Sequence, residues 1–590
     1  MADNWESTVV SLETVTGKIK PGMSIFLGTA GAEPRTMVRH LMTAEAKNLE
    51  DLELIQLVSL GDAISLQTLQ SQKFRLTTFF SGWVANEAIE EGRVDMIPSR
   101  FVKIPQLIES RLSPVDVAVV QITPPNEAGY CSLGIAVDVA REALEQANIS
   151  VGEINTQIPC TLGDTFVHVS EFDFLVRSTD PPIYFDRWET NEIWDQVALN
   201  TASLIEDGSC LAFSIGPLYE SLAKQLRHKR HLGIHSPFFT DPLMDLMQSG
   251  AVTNRRKDTY RGKSLTSYAL GTPDLMHWLD NNPLVEFQRI GLYTGKGTVA
   301  SGPAEVMDFI SGAEPSDGGR SIFALTSRDP KGLPNILPSI ADLPNQFSAF
   351  ESVGAIVTEY GVAFLQGRTM RERAQALIDI AHPQDRANLV QKAKEHKILY
   401  QDQIFLAESA RLYPADIAET YTTGEDLRVR FRAIRPSDEE GMRHLFYRFS
   451  EKMVYYRYFQ TVRSMPHAKM QEYVNVDWNQ VMSIVGLVGE EGKGRIIAEA
   501  RYIKIPGNPF AEVVFVVDEN YQHLGVATFL YRMLIRLAKE RGVRGFVAEV
   551  LYSNIGGIMK VFKKGDLPVK AHLEGGVYHL EIPFNSTIKS

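Results

Sequence analysis

Ala511-Glu512-Val513-Val514-Phe515-Val516-Val517, then Asp518-Glu519-Asn520-Tyr521, then Gln522-His523-Leu524-Gly525-Val526-Ala527, is the stretch whose reading decides the fold. An apolar β-type run passes through a short polar turn into a Gln-x-x-Gly-x-Ala loop, and a helix follows over about 526–541. The first backbone N–H groups of a helix lack intrahelical acceptors, and the helix dipole places partial positive charge behind them. A pyrophosphate fits that geometry. Gly525 and Ala527 lack bulk, so a ligand can come close to the backbone. An ordinary strand-to-helix turn carries the same local signature, and the flanking sequence has to separate the two.

The flanks supply a pattern. Residues 429–434 alternate like an edge strand. Pro436-Ser437-Asp438-Glu439-Glu440 starts a helix, with Ser437 and Glu440 spaced as a capping box. Residues 482–488 and 495–502 read as a hairpin across 489–494. Residues 546–551 are a further strand, Asn554 precedes a short helix to about 564, and 577–584 is a closing strand after Glu574-Gly575-Gly576. This order of elements, with these residues, resembles the GNAT acetyltransferase family over about residues 427–588. Ile434-Arg435-Pro436-Ser437-Asp438-Glu439 and Ser450-Glu451-Lys452-Met453-Val454-Tyr455-Tyr456-Arg457-Tyr458-Phe459 are similar to the Pat-type bacterial protein lysine acetyltransferases. The aromatic run 455–459 has the helical spacing of a core stripe, though in GNATs this segment borders the acceptor entrance.

The resemblance implies a site. CoA pyrophosphate would rest on backbone N–H groups of Gln522, His523, Leu524, Gly525, Val526 and Ala527. The pantetheine arm would use main-chain groups of Val516 and Val517 where the sheet splays, and Asn554 matches the asparagine on the pantetheine side. A lysine amine has an ordinary pKa near ~10.4, so it reaches the site protonated and needs a general base. Glu512 matches the Pat-type glutamate in that role, acting through a water. The usual tyrosine acid has no counterpart, since Phe562 occupies its region; a thiol is acidic enough to leave without one.

Composition sets the frame. At 590 residues the chain expects three or four domains, and 44% hydrophobic content is that of a protein with real cores. No run of 18 apolar residues suggests a membrane helix, and the acidic start Met1-Ala2-Asp3-Asn4-Trp5-Glu6 lacks a signal-peptide core. Cys131, Cys160 and Cys210 show neither metal spacing nor a disulfide framework, as expected of a reducing cytoplasm. A net charge of −12 argues against general nucleic-acid binding.

Upstream, β-type runs at 24–27, 52–60, 115–122, around 154, at 210–215, 321–325 and 355–357 alternate with helices such as 139–146 and 217–227, which is α/β patterning. Asp180-Pro181-Pro182 marks a boundary between two halves. Gly31-Ala32-Glu33-Pro34, the run from Gln121 through Thr123-Pro124-Pro125-Asn126-Glu127-Ala128-Gly129 to Gly134, Gly163-Asp164-Thr165-Phe166-Val167-His168-Val169-Ser170 and Val357-Thr358-Glu359-Tyr360-Gly361-Val362-Ala363 resemble the acetyl-CoA hydrolase/transferase family of CoA-transferases, over about residues 8–415.

That chemistry needs a glutamate nucleophile and a glycine-rich oxyanion loop. In relatives the nucleophile ends a Gly-Ile-His-(Ser/Thr)-Glu run; here it reads Gly233-Ile234-His235-Ser236-Pro237. The glycine-rich loop becomes Ser301-Gly302-Pro303-Ala304-Glu305-Val306-Met307-Asp308-Phe309, and Thr294 stands nearest to the family's assisting asparagine. Glu359 survives, read as a hydrogen-bonded buried carboxylate. The basic cluster Arg227-His228-Lys229-Arg230-His231 reads as a solvated helix terminus. Gly291 to Thr298 fails the spacing of a phosphate-binding loop.

The expected architecture is therefore two CoA-transferase-like α/β domains (1–186 and 187–415), a linker (416–426) and a GNAT α+β domain (427–588) with a mixed, mostly antiparallel sheet. The expected function is acetyl-CoA-dependent N-acetylation of protein lysine, with acetyl-CoA as cosubstrate and no metal. The CoA-transferase-like part serves as a degenerate regulator or platform, through which a homo-oligomer could form. The expected partners include no nucleic acid and no membrane. The alternatives are an active acetyl-CoA hydrolase or CoA-transferase with an appended GNAT domain, and a non-catalytic acyl-CoA sensor.

Overall fold

The computed structural model describes residues 5–63, 73–80, 88–89, 91, 93–97, 99, 103–290, 319–339, 353–406, 413–414, 417–460, 462–489, 494–565 and 567–584. Contacts divide the chain into two units: 1–323 with 348–354, and 324–347 with 355–590.

The first unit is built on a seven-stranded sheet: β1 (Ser24–Leu27), β2 (Leu52–Gln56), β3 (Phe74–Thr78), β4 (Val94–Met96), β5 (Val117–Ile122), β6 (Ile149–Ile154) and β7 (Phe174–Arg177), in the order β4-β3-β2-β1-β5-β6-β7. Every pairing is parallel. A parallel sheet is covered on both faces, so its strands read as continuous apolar runs. β5, Val-Ala-Val-Val-Gln-Ile, is buried at all six positions. The expected helices are Ala140–Gln146 and Pro217–Leu226. The expected strand 210–215 shrinks to Cys210–Leu211, paired with Gly233–Ile234. Asp180-Pro181-Pro182 follows the last strand of the sheet, but the contacts do not divide the chain there: the unit runs on to residue 323. The three cysteines are free.

The second unit carries the hairpin β8 (Ala355–Thr358) and β9 (Gly361–Phe364), then helices α1 (Met370–Ile380) and α2 (Pro383–Glu395). An eight-stranded sheet follows: β10 (Ala418–Thr422), β11 (Arg428–Ala433), β12 (Val481–Val488), β13 (Arg495–Lys504), β14 (Phe510–Val517), β15 (Gly545–Leu551), β16 (Lys570–Glu574) and β17 (Val577–Pro583). Their order is β10-β11-β12-β13-β14-β15-β17-β16. All pairs are antiparallel except β14–β15. Helices α3 (Glu439–Arg448), α4 (Glu451–Tyr458) and α5 (His467–Val474) precede β12, while α6 (Val526–Glu540) and α7 (Ile555–Lys563) flank β15 in sequence.

Four expectations need correction here. The stretch 416–426 is not a bare linker, because 418–422 form β10, which pairs with β11 residue by residue from Ala418↔Arg432 to Thr422↔Arg428. Consequently β11 is an inner strand, not the edge. Ser437 does not cap α3: a 3-10 turn, Pro436–Asp438, intervenes, and Asp438 accepts the Arg435 backbone N–H at 2.8 Å. Tyr455 and Phe459 are surface residues, 45% and 39% exposed, not core.

Candidate active site

β14 and β15 pair only at Phe510↔Gly545, Ala511↔Phe546 and Glu512↔Val547. Beyond Glu512 each strand keeps its outer neighbour: β14 stays on β13 through Ala498↔Val517, and β15 stays on β17 through Leu551↔Val577. The sheet therefore opens into a fork whose vertex is Glu512. The closed end is fixed by packing. A Cβ on Gly545 would lie 2.1 Å from the Phe510 ring, so only glycine lets the two strands meet there. Phe546 is fully buried against Tyr502, Tyr531 and Phe584.

Asp518 N donates to Ile497 O at 2.8 Å, which fixes the hydrogen-bond alternation of β14. Main-chain groups of Val514 and Val516 turn to β13, and those of Val513, Phe515 and Val517 turn to the gap. Of the two residues expected to meet pantetheine, Val517 alone presents its main chain to the gap. Its carbonyl already accepts from the Gln522 side chain at 3.2 Å.

Gln522 leads into the loop. His523 and Gly525 have φ of 68° and 87°, both left-handed, and α6 begins at Val526. Its first-turn N–H groups have no acceptor within the helix. A Cβ at Gly525 would sit 2.3 Å from the Tyr421 hydroxyl, which donates to Leu524 O at 3.1 Å. Thus β10 braces the loop. The alternating Glu-x-Tyr-x pattern of 419–422 was the available signal for it. Below the loop, Asp518 is buried and pairs with Arg448 at 2.7 Å. Asn554 directly precedes α7. Phe562 packs against Phe515 and Tyr531, so it is a core residue.

Phe515 touches Tyr531 and Phe562, which places α6 and α7 on its face. Glu512, Val514 and Val516 face the other way. Glu512 is exposed there. Farther along the same face, Glu499 (opposite Val516) is fully buried and accepts from Arg501 Nε (2.6 Å), Ser483 Oγ (2.7 Å) and Tyr473 Oη (2.8 Å), while Arg457 donates to Tyr473 Oη (2.8 Å). Burial pushes the Glu499 carboxyl up, but the Arg501 and Arg457 guanidinium ions reverse this and hold it below the usual carboxylate range. Burial pushes the Tyr458 phenol up to about 12.

Elsewhere, Glu359 is half-buried, and both its oxygens are engaged by Ser327: the backbone N–H donates at 2.8 Å and the hydroxyl at 2.5 Å. Pro237 is buried, and its carbonyl accepts from Ser267 N, Tyr268 N and Thr266 Oγ1 at 3.1, 2.9 and 2.9 Å. Thr294 and the loop 301–309 lie outside the described residues. Among the described residues no group of three or more His, Cys, Asp or Glu is placed to hold a metal, and no helix is long and apolar enough to cross a membrane.

Comparison with known proteins matches this architecture. The acetyl-CoA hydrolase/transferase N-terminal domain matches residues 1–185, its C-terminal domain 292–393, and the acetyltransferase (GNAT) family 452–558. A 4-hydroxybutyrate coenzyme A transferase from Clostridium kluyveri is 32% identical over 422 residues, covering 66% of this chain and 98% of that protein. The chain belongs to the acetyl-CoA hydrolase/transferase family. It carries a GNAT domain at its C-terminal end. The solved 4-hydroxybutyrate CoA-transferase of Porphyromonas gingivalis is 29% identical with a TM-score of 0.57, over 66% of this chain and 98% of that one. The acetyltransferase Pat of Mycolicibacterium smegmatis is 30% identical over 158 residues, 27% of this chain and 46% of that protein. Acetyl-CoA or CoA is thus the substrate that these domains imply, and the GNAT domain supports acyltransferase activity.

Proposed function

We propose that the chain is an acetyl-CoA-dependent protein lysine acetyltransferase, and that its CoA-transferase-like part has lost CoA transfer and serves as a regulator or docking platform. The observation that carries the reading is Glu512 at the vertex of the fork, on a strand that runs into the helix-terminus loop. CoA pyrophosphate rests on the 522–527 backbone, where the first-turn N–H groups of α6, which have no acceptor within the helix, and the helix dipole favour an anion. The pantetheine arm lies in the gap, against the main chain of Val513, Phe515 and Val517. Glu512 takes the ammonium proton of the incoming lysine through one water, and the free amine attacks the thioester carbon. The similarity to the acetyltransferase Pat supports an amine as acceptor.

Pro237 in place of a nucleophile supports the loss of CoA transfer, as does Glu359 held by Ser327. A second reading, retained CoA transfer, is favoured by the 32% identity to a CoA-transferase over the N-terminal two thirds. The test incubates the full chain with acetyl-CoA and candidate proteins and maps acetyl-lysine by mass spectrometry. A parallel incubation with acetyl-CoA and a carboxylate, 4-hydroxybutyrate or succinate, looks for exchange. Acetyl-lysine without exchange fits the first reading; exchange supports the second.

A further inference from the structure

One polar pair near the fork has no part in the steps above. Glu549 lies on β15, two residues beyond Val547, the last partner of β14. Strand pairing sets Glu549, His579 and His572 side by side across β15, β17 and β16. Paired residues share a face of a sheet. The Glu512–Val547 pairing puts Glu512 and Glu549 on one face, opposite α6 and α7. From a strand spacing of about 4.8 Å at the Glu512–Val547 pair and a rise of about 3.3 Å per residue, Glu549 stands at least about 8 Å from Glu512, on the far wall of the fork.

His579 Nδ1 lies 3.3 Å from Glu549 Oε1, with the two side chains 46% and 60% exposed. On the same face Glu581 is already committed to Lys570, at 3.1 Å. Over the outer end of the fork, α4 reaches across: Met453 Sδ lies 4.0 Å from Gln522 Nε2, and Tyr456 Oη lies 3.5 Å from Ser553 O. The β15–β17–β16 surface is the exposed approach to the vertex, and all five residues of β16 are solvent-exposed.

We propose that Glu549 is the acceptor-docking carboxylate of the GNAT domain, receiving the lysine as its ammonium ion, and that His579 is a positioning residue that fixes the carboxylate. This rests on the acetyltransferase reading above. The acceptor arrives charged, and a carboxylate on the approach face binds that charge with a charge-assisted hydrogen bond. The spacing then separates docking from chemistry. The ammonium gives one proton to Glu512 through a water; the amine nitrogen bonds to the thioester carbon and gives up its second proton to solvent as the C–S bond breaks, and the departing thiolate takes a proton from solvent. Glu549 makes no covalent bond and gains no proton. An exposed pair contributes little to folding, so removing it reports on the acceptor and not on stability.

The experiment uses the full chain, acetyl-CoA and two nucleophiles: poly-L-lysine, which is cationic, and hydroxylamine, which is neutral at the working pH. Glu549→Gln is expected to raise the KM for poly-L-lysine about 2–5-fold, the span of one solvent-exposed ion pair. Its kcat, its KM for acetyl-CoA and its rate with hydroxylamine stay at wild type. His579→Gln raises the same KM by less, and Glu549→Asp restores part of it. An unchanged poly-L-lysine KM in Glu549→Gln overturns the proposal. So does a fall in kcat with both nucleophiles, which would make Glu549 the base. No wild-type transfer to either nucleophile would overturn the acetyltransferase reading, and this inference with it.

Discussion

The segment 233–240 and the β14–β15 fork are both short parallel pairings at the end of a strand, and they finish their hydrogen bonds differently. At the first, Gly233, Ile234, His235 and Ser236 each donate their backbone N–H, to Ser209 O, Asn254 Oδ1, Leu211 O and Leu265 O, and the Pro237 carbonyl takes three donors. Ser236 Oγ closes on Phe213 from both sides, at 3.0 and 2.8 Å. The segment is sealed and buried. At the second, pairing stops after Glu512, and the main chain of one strand is turned toward an open gap. Unfinished backbone pairing is affordable only where water or a ligand completes it. A site is therefore read more safely from where a sheet leaves its pairing incomplete than from which family motif a strand carries.

The largest expected effect breaks or confirms that contrast outright. With acetyl-CoA and a carboxylate acceptor, intact-mass measurement is expected to find no CoA adduct on the protein, and no exchange, because no side chain stands at position 237 to form an acyl anhydride. Pro237→Glu alone is expected to leave this unchanged, since Ala304 and Glu305 stand where the family resemblance implies glycines of an oxyanion loop. A covalent CoA adduct on the wild type would reverse the contrast and point to Glu359 or another carboxylate.

At the fork, Glu512→Gln is expected to lower kcat for lysine acetylation by about 10²–10⁴ with the acetyl-CoA KM nearly unchanged. Steady-state kinetics at neutral pH checks this; turnover near wild type removes Glu512 from the mechanism. Next in size, Gly525→Glu brings a Cβ against the Tyr421 hydroxyl and a carboxylate toward the pyrophosphate, in a backbone conformation that favours glycine. The acetyl-CoA KM for acetylation is expected to rise by at least ~10-fold. A wild-type KM would move the pyrophosphate elsewhere.

The smallest effect separates the units by pH. In the first unit burial pushes the Glu33 carboxyl up to about 7, Asp138 to about 6 and Glu142 to about 7. Their folded pKa values lie above the unfolded ones, so the folded state holds more protons. Their contribution is complete below about pH 4 and is lost as pH rises toward 7. In the second unit the Arg partners of Glu499 and Asp438 outweigh burial and hold both carboxyls low, so that contribution is present at neutral pH and is lost as pH falls through the acid range. Calorimetry from pH 5 to 7.5 is expected to lower the first unit's transition by a few degrees. A first-unit transition that rises over that range would contradict the assignment of those carboxyls.

Much of this was legible in the residues. The β-type run 115–122 and its alternation with helices announce the α/β part, and the change from β-type to helical period at 511–541 announces the strand, loop and helix of the GNAT domain. Family-like motifs identified both parts of the chain, and the proline at position 237 of the Gly233-Ile234-His235-Ser236 run was visible without any coordinates. These are local properties: periodicity, φ preference and residue chemistry act within a few positions.

Only the tertiary structure decided the rest, because it depends on which strands become neighbours. Residues 418–422 look like linker until they pair with 428–432 and send Tyr421 to the loop before α6. The polar hairpin strand 570–574 gains its place only on β17. Val516 and Val517 are alike in sequence, yet strand alternation turns one main chain to β13 and the other to the gap. Glu549 and His579 are 30 positions apart and meet through the register of β15 on β17. Register is set by pairing over the whole sheet, and a one-residue slip would send every one of these side chains to the other face.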